Sequence, residues 1–275
     1  MRTAVTQASP GENRDDNLER AAELLAEASA GGARLVVLPE LFSALAAPAR
    51  WRELGEPPGG PVERFLSGQA RRHGLFLVGG SYLEDAGETL YNTCPVFAPD
   101  GSLLGRYRKM HLFSVDIPGE VYYDEGKHIS AGDERFVFEA DGLRVAVGIC
   151  YDLRFPEFFR MPGGRPADLY CLGAAFMAPT GRAHWRALVR ARAIENLAFF
   201  AAAGTVGTHY EIPEKPGEYV GTWGHSMIVD PWGEVAAELE EGEGVAAAEV
   251  TREEVERLRT RLAALEHARE ELRGG

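Results

Sequence analysis

The sequence predicts an α/β fold in which strands and helices alternate in layers. Short apolar runs of strand length recur along the chain, as in Arg34-Leu35-Val36-Val37-Leu38 and Val145-Ala146-Val147-Gly148-Ile149. Segments with apolar residues at helical spacing lie between them, and Gly, Pro, Asn or Asp marks most boundaries. No low-complexity linker, internal repeat or composition break interrupts the 275 residues, so one domain over 1–275 is expected.

Thr3 to Ala8 reads as a strand and Asn13 to Ala30 as a helix. Leu18, Ala21, Ala22, Leu24, Leu25 and Ala28 share one face of that helix, and Gly31-Gly32 stops it. The strand from Arg34 to Leu38 ends at Pro39-Glu40; a helix from Val62 to His73 and a strand from Leu75 to Tyr82 follow. Leu90 to Ala98 and Leu103 to Tyr107 form a hairpin turned by Pro99-Asp100-Gly101, and Phe136 to Glu139 turns at Ala140-Asp141-Gly142 into Leu143 to Ile149. Beyond it come a strand from Ala167 to Leu172, a helix from Ala183 to Asn196 and a strand from Leu197 to Ala203. Gly224 to Val229, Val235 to Leu239 and Val245 to Val250 read as closing strands. Thr251 to Leu272 reads as a long charged helix capped by Thr251, with Glu254 three residues later, available for oligomer contacts. Thr208 to Tyr219, with Pro213, Pro216 and Gly217, is the longest expected loop and a candidate lid.

Composition removes several classes of function. Hydrophobic content of 45% beside 26% charged residues is that of an ordinary soluble globular protein. No run approaches the ~18 apolar residues of a membrane span, and Met1-Arg2-Thr3-Ala4-Val5 enters a strand without a signal-peptide core. Three widely spaced cysteines make no disulfide framework, and a cytoplasmic location is expected. A net charge of −13 argues against a nucleic-acid partner. Much of that acid is local, in the solvated turn Glu238-Leu239-Glu240-Glu241-Gly242-Glu243. Lys109, Lys127 and Lys215 are the only lysines among 29 basic residues. A retained lysine marks a place where a planar, permanently charged guanidinium would not serve.

Three residues at strand ends carry the chemistry. Cys150 closes the run 145–149 and is followed at once by Tyr151-Asp152-Leu153-Arg154-Phe155-Pro156-Glu157. A thiol at the C-terminal edge of a buried strand lies where ligands bind in open α/β sheets. A lone cysteine is ordinarily a small core hydrophobe, and Cys94 and Cys171, in strand-like runs without charged neighbours, are assigned to the core. Glu40 ends the strand at Leu38-Pro39, and Lys109 follows Leu103 to Tyr107. Taken singly they read as a loop acid and a surface lysine. Together, Cys, Glu and Lys supply the nucleophile, base and cation that acyl transfer requires.

Val37-Leu38-Pro39-Glu40, Tyr107-Arg108-Lys109-Met110-His111-Leu112 and Gly148-Ile149-Cys150-Tyr151-Asp152-Leu153-Arg154-Phe155-Pro156-Glu157 resemble the three signature segments of the nitrilase, or carbon–nitrogen hydrolase, superfamily. Supporting matches are Gly181-Arg182-Ala183-His184-Trp185, Ala191 to Asn196 and Trp223 to Gly233, and the similarity covers about Arg2 to Val250. The resemblance implies an α-β-β-α sandwich of four layers per protomer, extended across a homodimer interface. It also implies Cys150 as nucleophile, Glu40 as general base and Lys109 as the cation of the tetrahedral intermediate. Glu125, in Tyr123-Asp124-Glu125-Gly126, falls where many members place a second glutamate. The reaction expected is hydrolysis of a non-peptide C–N bond through a Cys thioester, with no cofactor and no metal.

The segments after Cys150 resemble the amidase branch of omega-amidases and deaminated-glutathione amidases, which implies a small carboxylate-bearing amide and release of ammonia. Arg154 is the candidate for that carboxylate, with an ion pair to Glu157 or Asp152 as the alternative. Tyr151, Phe176 and Thr180 are expected to line the acyl pocket. Three departures bear on substrate and assembly: Met177 makes the pocket more apolar, Met161-Pro162-Gly163-Gly164-Arg165-Pro166 shortens the helix after the cysteine, and Leu262 to Gly275 continues as helix. Nitrile or N-carbamoyl hydrolysis by the same residues, a papain-like Cys-His pair with His111, His184 or His225, and a non-enzymatic scaffold are the competing readings. No Cys or His pair has zinc-ligand spacing.

Overall fold

Strand pairing in the computed structural model, which describes residues 1–117, 121–160, 165–212 and 215–267, sorts most of the chain into two sheets. The N-terminal part supplies β1 (Arg2–Gln7), α1 (Arg14–Ala30), β2 (Leu35–Val37), α2 (Trp51–Leu54), α3 (Pro61–His73), β3 (Phe76–Val78), β4 (Tyr82–Asp85), β5 (Leu90–Phe97) and β6 (Leu103–Arg108). A small hairpin, β7 (Ser114–Ile117) and β8 (Val121–Asp124), leads to β9 (Phe136–Ala140), β10 (Leu143–Ile149), α4 (Pro156–Phe159), β11 (Leu169–Ala174), α5 (Ala178–Asn196) and β12 (Phe199–Gly204). A second hairpin, β13 (Val206–Glu211) and β14 (Tyr219–Trp223), precedes β15 (Met227–Val229), β16 (Val235–Glu238), β17 (Gly244–Glu249) and α6 (Arg252–Arg261).

The first sheet runs β17-β1-β2-β3-β5-β4, with β6 also on β5, and the second runs β16-β15-β12-β11-β10-β9. β2 and β10, which lead to Glu40 and Cys150, lie in the parallel centres, β1-β2-β3 of one sheet and β10-β11-β12 of the other, whereas β6, which leads to Lys109, is antiparallel to β5. Alternation of side chains along each strand builds the layers. Val5, Leu35, Val37 and Val78 pack toward the second sheet, in one core with Val145, Val147, Leu169 and Phe200. Their neighbours Ala4, Val36 and Leu77 face the other way, against Leu25 of α1 and Leu66 of α3. Trp185 and Val189 of α5 and Val255 of α6 close the far side of the second sheet. The order is therefore helix, sheet, sheet, helix, as the sequence implied.

Three elements differ from the sequence expectations. The strand expected over Leu75 to Tyr82 is interrupted at Gly79-Gly80, although β3 and β4 both pair with β5. The segment expected as a loop from Thr208 is largely the hairpin β13–β14, because β-branched and aromatic residues (Val206, Thr208, Tyr210, Tyr219, Val220, Thr222) flank its Pro- and Gly-containing tip. Residues 213 and 214 lie outside the described residues. Helix α6 stops at Arg261 rather than Leu272: Val255 and Leu258 are its buried residues, and Leu262 is already 43% exposed. Residues 268–275 lie outside the described residues, as do 161–164 after α4. Among the described residues, no helix is long and apolar enough to cross a membrane.

Candidate active site

Glu40 stands three residues beyond β2, where its backbone threads a slot between the sheets. Glycines form both walls. A Cβ on Gly80 would lie 2.1 Å from the Pro39 carbonyl oxygen, and one on Gly173 of β11 would lie 2.8 Å from the Leu38 oxygen and 3.1 Å from the Glu40 nitrogen. Gly80 also has φ +60°, which explains why the expected strand breaks there. Leu41 takes φ +50°, and its N–H donates to Ser81 Oγ at 2.9 Å.

Cys150 leaves β10 in the same strained region, at φ +45°, and begins a 3-10 turn through Arg154. A left-handed residue between strand and turn thrusts the side chain off the sheet edge, and such strain is tolerated where the surroundings over-determine it. Asp152 supplies that restraint. It is wholly buried, and its Oδ2 accepts from Ile149 N at 2.8 Å and from the Tyr107 hydroxyl at 2.6 Å. Its Oδ1 accepts from His111 N at 3.2 Å and lies 2.7 Å from His111 Nδ1. One carboxylate thus joins the turn of Cys150 to β6 and to the turn that carries Lys109.

Lys109 is 1% exposed, and its Nζ contacts Glu40 Oε1 at 2.9 Å and both Glu125 oxygens at 2.8 and 2.9 Å. Burial alone lowers its pKa, but Glu125 and Glu40 outweigh that and hold the ammonium well above its ordinary value. Glu125 is raised by burial, against the pull of Lys109; its Oε2 accepts from Phe113 N at 2.7 Å. Glu40 receives two further donors, Asn92 Nδ2 on Oε1 at 2.8 Å and Ala175 N on Oε2 at 2.7 Å. Burial pushes the Cys150 thiol well up, and Glu40 adds to this through charge and a hydrogen bond while Lys109 opposes it. The thiol is therefore neutral at rest. Cys94 and Cys171 are raised by burial and remain core residues.

Glu40, Glu125 and Cys150 open onto a cavity of about 680 Å³, counted to its mouth. Tyr151, Arg154, Phe176 and Thr180 all line it, as does Met177, whereas Lys109 lies behind the two carboxylates. The Arg154 guanidinium stacks 4.9 Å from the Phe176 ring centroid and reaches His184 Nδ1 at 3.3 Å. Neither ion pair considered for it forms: Asp152 is engaged elsewhere, and Arg154 has no carboxylate partner among the described residues. Sequence reading missed Trp51, Tyr123 and the hairpin residues Tyr210, Val220 and Thr222, which complete the wall. His209 ties the hairpin down through Pro10 O and Thr222 Oγ1.

The carbon-nitrogen hydrolase family model matches residues 2–260. The chain belongs to that family. Omega-amidase NIT2 of Danio rerio is 39% identical over 91% of this chain and 88% of its own, and human omega-amidase NIT2 is 36% identical over 99% and 96%. Saccharomyces cerevisiae Nit3, described as a member of branch 10 of the nitrilase superfamily, superposes with a TM-score of 0.82 at 30% identity, covering 95% of this chain and 94% of that one.

In this carbon-nitrogen hydrolase, sequence reading also missed the roles of Asp152, weighed only as an ion-pair partner of Arg154, and of Asn92. Apart from Ile149, their partners come from distant segments; the sole local signal is the placement of an aspartate two residues after the cysteine. Asp152→Asn leaves one of two backbone N–H groups facing an amide nitrogen. It is expected to cost about 2 kcal/mol of stability, read as a lower urea midpoint.

Proposed function

We propose that this carbon-nitrogen hydrolase is an amidase that converts a small carboxylate-bearing amide to acid and ammonia. The observation that carries the proposal is the Glu40–Lys109–Glu125 cluster beside Cys150, on the floor of a pocket whose cation, Arg154, has no carboxylate partner among the described residues. The neutral thiol must lose its proton as sulfur attacks the carbonyl. Glu40 takes that proton and returns it to the leaving nitrogen, so that the C–N bond breaks, ammonia departs and a thioester remains. Glu40 then deprotonates the water that opens the thioester. Lys109, with the backbone N–H groups after Cys150, stabilises the oxyanion. Glu125 holds Lys109 toward Glu40.

Arg154 pairs with the substrate carboxylate, while Tyr151, Phe176 and Thr180 bound the acyl chain. The omega-amidase relatives favour this reading over nitrile and carbamoyl substrates, and a site with all its residues in place does not favour a scaffold. A homodimer in the reducing cytoplasm is part of the same proposal. Ammonia release from amides, nitriles and N-carbamoyl acids tests it: a carboxylate-bearing amide is expected to be hydrolysed fastest. Arg154→Met should raise KM for that amide at least about tenfold and leave a neutral amide of equal length little changed. Equal effects on both amides would remove Arg154 from recognition, and ammonia from nitriles alone would overturn the amidase reading.

A further inference from the structure

Asn92 touches both charged partners of the site. Its main-chain carbonyl accepts the Lys109 N–H at 2.9 Å, and its side-chain amide donates to Glu40 Oε1 at 2.8 Å. The residue is 1% exposed on β5, and its Oδ1 has no hydrogen-bond partner among the described residues. A buried amide oxygen left unpaired is costly. The amide keeps this orientation because the opposite one would set an oxygen against the carboxylate.

We propose that Asn92 is a positioning residue that makes Glu40 a one-sided base. Each carboxylate oxygen offers two acceptor positions. Lys109 Nζ and the Asn92 amide fill both on Oε1, whereas Ala175 N occupies one on Oε2. The remaining position on Oε2 receives the Cys150 proton as the S–C bond forms. The same oxygen returns it to the amide nitrogen as the C–N bond breaks. This inference rests on Glu40 being the base.

The titratable groups that face Glu40 are Lys109 after β6, Tyr123 of β8, Glu125 in the turn that follows it, and Cys150 after β10. Removing the Asn92 donor leaves them in place but makes the carboxylate easier to protonate. The test is the pH dependence of kcat/KM for an amide substrate, measured with wild type, Asn92→Leu, Asn92→Asp and Glu40→Gln. In Asn92→Leu the acid limb should move up by about one pH unit or more, the worth of a hydrogen bond to a charged group. Asn92→Asp, nearly isosteric, adds a third carboxylate and should move it further, which keeps the test decisive if Asn92→Leu does not fold. Loss of activity by an equal factor at every pH, with the limb unmoved, would reduce Asn92 to a packing residue and overturn the proposal. Wild-type turnover by Glu40→Gln would instead overturn the base assignment, and this inference with it.

Discussion

Lys109→Arg is expected to lower kcat by at least about 10²- to 10³-fold, the cost of removing one well-placed oxyanion donor. The variant keeps the positive charge, so it separates charge from geometry. The ammonium is enclosed by three carboxylate contacts of 2.8 to 2.9 Å, in a position 1% exposed. A guanidinium is larger and planar, and forcing it in costs about 1–3 kcal/mol of overpacking while it draws Glu40 off its line to the thiol. Lys109→Met is predicted to be worse for stability. It leaves Glu40 and Glu125 buried without their cation, a penalty of about 3–5 kcal/mol. Steady-state ammonia release with thermal melting distinguishes the two losses. Lys109→Arg with near wild-type turnover would take the lysine out of the mechanism.

Glu40→Gln should produce two opposite changes. Hydrolysis is expected to fall by about 10³-fold, within the range for loss of a general base. Cys150 should become easier to ionise, not harder. Burial raises the thiol and Glu40 raises it further, so removing that charge leaves burial and the weaker push of Glu125 opposed by Lys109. The pH midpoint for alkylation of Cys150 by iodoacetamide should accordingly move down in Glu40→Gln. An unchanged midpoint would mean that the carboxylate and thiol do not interact; a raised one would reverse the sign assigned here.

Cys150, Glu40 and Lys109 were legible in the sequence because each ends or follows an apolar strand within a distinctive local run. Glu125 was legible through its spacing from the lysine. What the sequence did not display depends on contacts between distant segments. Gly79-Gly80 breaks an expected strand because the Leu38–Glu40 backbone passes against it, a demand made by another part of the chain. Thr208 to Tyr219 read as a loop because Pro213, Pro216 and Gly217 in that stretch of sequence masked the strand formers on either side. Asp152 joins Ile149 to Tyr107 and His111, and Asn92 joins Lys109 to Glu40; beyond the aspartate's place two residues after Cys150, no local pattern marks either role. The length of α6 was overread for a related reason: charged helical spacing continues past Leu258, but the buried face does not.

Mass spectrometry of intact protein mixed rapidly with a carboxylate-bearing amide tests the central claim most directly. A transient adduct of acyl mass is predicted on Cys150, with release of one ammonia as it forms, and Cys150→Ala should form no adduct and release none. Ammonia released by Cys150→Ala at the wild-type rate would contradict the account.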